Sequence, residues 1–99
     1  MKNTITMTNE EIQEAMIEKN HNKKLESINL EYLQGALAIY QEANTEGVEE
    51  GNVEWIEYTQ ELIDNYQQQI ELTEKMIKLL DQQLITYSFI LAGRKVKNV

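Results

Sequence analysis

The 99-residue chain has no cysteine and no proline, four glycines, and one each of histidine, tryptophan and phenylalanine. Without cysteine there is neither a disulfide framework nor a thiolate to serve as nucleophile or metal ligand, which fits a reducing, cytoplasmic compartment. Without proline no helix is broken from within, and the many Glu, Gln, Leu and Ile residues favour helix. No run of about 18 apolar residues exists to span a bilayer. The opening MKNTITMTNEE also lacks the apolar stretch of a signal peptide.

A second absence is local. Between Leu25 and Glu74 there is no lysine or arginine, whereas twelve carboxylates fall there: Glu26, Glu31, Glu42, Glu46, Glu49, Glu50, Glu54, Glu57, Glu61, Asp64, Glu71 and Glu74. The net charge of −8 is therefore uneven, with residues 1–24 balanced, 25–74 at −12 and 75–99 at +4. A solvated helix face normally sets bases four residues from acids, because such pairs stabilise a helix by about 0.2–0.5 kcal/mol and like pairs cost a similar amount. A surface this acidic is repelled by nucleic-acid phosphates and by anionic membrane, so neither is an expected direct partner. A basic protein surface is the natural complement.

Groups suited to catalysis are scarce. His21 lies in the polar stretch Asn20-His21-Asn22 with no carboxylate or serine at useful spacing, and reads as a solvated histidine. Glu49 and Glu50 sit between Gly47 and Gly51, a setting that does not bury carboxylates and so does not separate their pKa values. The same segment lacks the alternating ligands and central glycine of a calcium loop. These features predict a protein that is not an enzyme and has no cofactor and no metal site.

The apolar pattern predicts an all-α fold of three helices, the last two forming a long antiparallel, coiled-coil-like hairpin in one domain. Thr8 and Glu11 form a capping box, with Met7 placed to staple onto Ile12, and start a first helix over about 8–20. The polar run Lys19 to Lys24 reads as a loop or kink, although one continuous helix would also satisfy the pattern. A central helix over about 24–44 carries two apolar stripes: Leu25, Ile28, Tyr32, Ala36, Ile39 and Ala43, and Leu30, Leu33, Leu37 and Tyr40. So wide an apolar surface predicts two packing partners. Thr45 to Gly51 ends that helix, and Asn52 caps the last one, over about 53–92.

The last helix has Ile56, Ile63, Ile70, Ile77, Leu84 and Leu91 at strict sevens, with Thr59, Tyr66, Thr73, Leu80 and Tyr87 three residues after the first five. Such a repeat predicts coiled-coil-like packing. Gly93 is expected to stop the helix before Arg94, Lys95 and Lys97. The alternation Ile85, Tyr87, Phe89, Leu91 would also suit a strand, with Thr4 to Met7 as its pairing partner.

Two surfaces follow from this arrangement. Glu46, Glu49 and Glu50 at the hairpin tip, with Glu54, Glu57, Glu61 and Asp64 along the outer flank, form a carboxylate row, and Trp55 and Tyr58 lie beside it as aromatic anchors. Trp55 folding back onto the central helix is the simpler alternative. Regularly spaced negative charge of this kind suits a groove built for nucleic acid. The expected function is that of a protein-binding inhibitor or modulator acting on a basic, nucleic-acid-binding surface. In general character the chain resembles the small acidic inhibitors of phages and mobile elements, anti-CRISPR proteins among them. Met76, Leu80, Leu84, Tyr87, Phe89 and Leu91 form the second surface, left uncovered by a central helix that ends short, and predict a homodimer. The rival function is a coiled-coil assembly module, such as a phage scaffold, secretion adaptor or chaperone, working through its heptad seam.

Overall fold

The computed structural model describes residues 6–97, and within them all regular structure is helical. Two helices make up the fold: α1, Asn9–Glu50, and α2, Val53–Lys97. They form a helical hairpin rather than the expected three-helix arrangement. The chain divides into two units: a turn unit, Ser27–Lys75, and a terminal unit made of Met1–Glu26 with Met76–Val99.

In the terminal unit α1 begins as its first residues dictate. The Thr8 amide donates to Glu11 Oε1 and the Glu11 amide donates to Thr8 Oγ1, both at 3.1 Å, which satisfies two of the amides a helix start leaves unpaired. Ile12 is fully buried and Met7 half-buried, as a staple requires. The expected loop at Lys19 to Lys24 is absent, and α1 passes through it unbroken. The reason lies in lysine's chemistry. Lys19 and Lys23 are half-buried, so their aliphatic stems take seam positions while their ammonium groups reach water or a partner. Lys23 Nζ meets Asp81 Oδ1 at 2.5 Å, and Arg94 donates to Asn9 Oδ1 at 2.9 Å. These pairings run α1 and α2 antiparallel.

Continuity of α1 removes the premise of a third helix. Residues 85–91 are helical, which excludes the strand alternative for them; its proposed partners Thr4 and Ile5 lie outside the described residues. Gly93 does not stop α2, which continues to Lys97.

In the turn unit α1 and α2 pack along a seam of their own. Ile63, Thr59 and Thr73 are buried on α2, with Ile56, Tyr66 and Ile70 half-buried between them, and Leu33 is buried on α1. The heptad positions on α2 are thus the residues turned to α1. The two threonines enter an apolar seam without orphaned hydroxyls, because Thr59 Oγ1 donates to the Trp55 carbonyl and Thr73 Oγ1 to that of Gln69, each at 2.8 Å. Asn44 Nδ2 completes the arrangement, donating to Thr59 Oγ1 at 2.9 Å and to the Ile56 carbonyl at 3.2 Å. The Tyr40 and Tyr66 rings stack with centroids 5.5 Å apart.

The segment Thr45 to Gly51 was expected to end the helix early, yet α1 runs to Glu50. Its two glycines do different work. Gly51, at φ 69°, adopts the left-handed conformation that closes the turn. Gly47 is buried inside the helix, where a Cβ would come within 2.8 Å of Trp55 Cδ1 and 3.3 Å of Ile56 Cγ1. It lets α2 approach closely just after the turn.

Candidate partner-binding surface

The α2 start places the aromatic pair. Asn52 Oδ1 accepts from the Trp55 amide at 3.2 Å and caps the helix, which sets Trp55 on its first turn. Trp55 Nε1 then donates to the Ala43 carbonyl at 3.1 Å, and the indole lies over Gly47. The fold-back expected of Trp55 is therefore present, but 40% of the residue stays accessible. Tyr58, 54% exposed, leans against it with ring centroids 5.7 Å apart and planes tilted by 33°. Val48 and Val53, on either side of the turn, are exposed as well.

Carboxylates surround this cluster. Glu46, Glu49, Glu50, Glu54, Glu57, Glu61 and Asp64 are all exposed. Glu54 lies four residues before Tyr58 and Glu61 three after it, so both are its neighbours on the helix surface. Asp64 accepts a hydrogen bond from Gln60 Nε2 at 2.9 Å, and farther along Glu71 pairs with Lys75 at 3.5 Å. Among the described residues no lysine or arginine pairs with Glu54, Glu57 or Glu61. Nothing within the turn unit neutralises the row.

Other candidate groups are arranged differently. His21 is exposed on α1, and among the described residues no three of His, Cys, Asp and Glu lie close enough to hold a metal ion together. No helix among the described residues is long and apolar enough to cross a membrane. Of the six residues assigned to self-association, Met76 and Phe89 are exposed, at 45% and 73%, whereas Leu80 is buried and Leu84, Tyr87 and Leu91 are half-buried along the intrachain seam. Phe89 instead helps line an apolar hollow of about 550 Å³ on α2, with Leu84, Ile85 and Ala92.

Sequence reasoning missed the exposure of the first α1 stripe. Ile28, Tyr32 and Ile39 are 64–66% accessible, although their spacing had marked them as packed. Tyr32, Gly35, Ala36 and Ile39 line a groove of about 440 Å³ beside Tyr40 and Tyr66. Desolvation holds the Tyr66 phenol above its ordinary pKa, helped by the neighbouring Tyr32 and Tyr40 and by its hydrogen bond with Tyr32. The available signal is the unusual width of the apolar surface on α1, which predicts two packing partners where the chain supplies one.

Comparison with known proteins finds no matching family model, curated protein or solved structure.

Proposed function

We propose that the turn unit is a recognition surface for a basic region of another protein, and that the chain acts by occupying that region as an inhibitor or modulator. The observation that carries this reading is the exposed Trp55–Tyr58 pair, tilted at 5.7 Å and bordered by carboxylates without cationic partners. Aromatic anchors contribute affinity where they desolvate against a partner, and the surrounding charge steers the encounter and selects against acidic surfaces. A nucleic-acid-binding groove, the kind blocked by small acidic anti-defence inhibitors, has the complementary charge. The rival reading, an assembly module working through its heptad seam, has less support, since the seam residues of α2 are turned to α1 of the same chain.

The test compares the native chain with Glu57→Lys/Glu61→Lys and with Tyr58→Ala as baits in host lysate, at low and at high salt. The expected result is one basic protein retained by the native chain at low salt, released at high salt, and lost with both variants. Retention that is indifferent to charge reversal and to salt would refute the reading.

A further inference from the structure

The groove of about 440 Å³ lined by Tyr32, Gly35, Ala36, Ile39, Tyr40 and Tyr66 lies wholly within the turn unit. Its volume falls in the range of small-molecule sites, about 300–1,000 Å³. Half of its lining is tyrosine. Tyr66 stacks on Tyr40 with centroids 5.5 Å apart and hydrogen-bonds with Tyr32, so the three rings are fixed relative to one another before anything binds. Gly35 has no packing reason to be glycine, since nothing stands within 4 Å of a Cβ built there. A glycine inside a helix costs stability against alanine, and the effect of this one is to leave the groove open.

The charge around this groove has one sign. Of the residues three or four positions from any of the six, the only charged ones are Glu31 and Glu42, one before Tyr32 and one after Tyr40, both exposed. The turn unit as a whole holds eleven carboxylates and one base, Lys75, which pairs with Glu71. Such a unit repels anions and attracts cations. The lining selects among cations. The Tyr32 and Tyr66 hydroxyls bond with each other, and Gly35, Ala36 and Ile39 offer only helix backbone, which is paired within α1. A primary ammonium, with three N–H donors to satisfy, would give up water here for few acceptors. A quaternary ammonium has no N–H to satisfy and is attracted to the faces of tyrosine rings. We propose that the groove binds a quaternary ammonium ligand, its charged head against the three tyrosines and its carbon substituent along Gly35, Ala36 and Ile39. No residue of this site belongs to the Trp55–Tyr58 surface, so the proposal stands or falls apart from the protein-binding reading.

Titration of the full chain with choline at constant ionic strength, followed by amide NMR shifts, tests it. Saturable binding is expected, with a dissociation constant on the order of 1 mM for so small a ligand. The shifts should centre on residues 32–40 and on Tyr66. The uncharged isostere of choline, with carbon in place of nitrogen, should bind about tenfold more weakly, and so should ethanolamine, the primary amine. Tyr32→Leu is expected to weaken choline by about tenfold. Gly35→Leu fills the groove without removing a ring or a charge and should abolish binding, with helical circular dichroism checking that both variants stay folded. Should either unfold, the ligand series on the native chain still decides. No saturable shift with choline, equal affinity for its uncharged isostere, or choline binding undiminished in a folded Gly35→Leu would each overturn the proposal.

Discussion

Gly47 decides how closely the helices meet after the turn. A Cβ at that position would sit 2.8 Å from Trp55 Cδ1, and the indole cannot swing away freely because its Nε1 is tied to the Ala43 carbonyl at 3.1 Å. Alanine would ordinarily stabilise a helix by about 0.5–1 kcal/mol over glycine. Overpacking against a tethered ring costs typically about 1–3 kcal/mol, so the steric term should prevail. Gly47→Ala is accordingly expected to lower stability by about 1 kcal/mol and to alter the emission of the single tryptophan. Urea denaturation followed by fluorescence checks both. A variant more stable than the native chain, with unchanged emission, would mean that Trp55 does not rest on Gly47.

At the scale of helices, Gly93 offers the converse case. It lies within α2, four residues before its end, and nothing stands within 4 Å of a Cβ built there. Gly93→Ala should raise stability by about 0.5–1 kcal/mol through helix propensity alone. No gain in thermal or urea midpoint would show that α2 does not persist past Ala92. The pair also explains what was legible beforehand. The capping box at Thr8, the cap at Asn52 and the seam from Ile56 to Leu91 could be read because each depends on spacing, and spacing survives in a string of letters. The helix ends could not be read so well, since a glycine needed for close approach, one needed for positive φ and one merely tolerated are written alike. Lys19 and Lys23 misled for a related reason, as residue type does not reveal that an aliphatic stem fills a seam while the charge leaves it. The α1 stripe through Tyr32 and Ile39 was recognised as an apolar surface, but periodicity cannot say whether its cover comes from the same chain. At the tip, the carboxylate row was legible as spacing, whereas the anchoring of Trp55 to Ala43 depends on a turn geometry that spacing does not encode.

Charge is a property of the whole molecule, and here it opposes folding. With no lysine or arginine between Leu25 and Glu74, the neighbours Glu54 and Glu57, Glu57 and Glu61, and Glu61 and Asp64 face one another three or four residues apart on α2 without compensation. Each such like-charge pair costs about 0.2–0.5 kcal/mol. Natural sequences rarely sit at their stability optimum, so interrupting the row is a route to a more stable chain. Glu57→Gln with Glu61→Gln removes all three pairs and leaves Glu54, in the first turn of α2, to interact favourably with the helix dipole. Stability should rise by about 1 kcal/mol at low ionic strength, and the gain should shrink as salt shortens the Debye length to about 3 Å at 1 M. Thermal unfolding of both proteins at equal concentration across a salt series measures this. If the neutralised chain is instead the less stable, the carboxylates stabilise the hairpin and the repulsion argument fails.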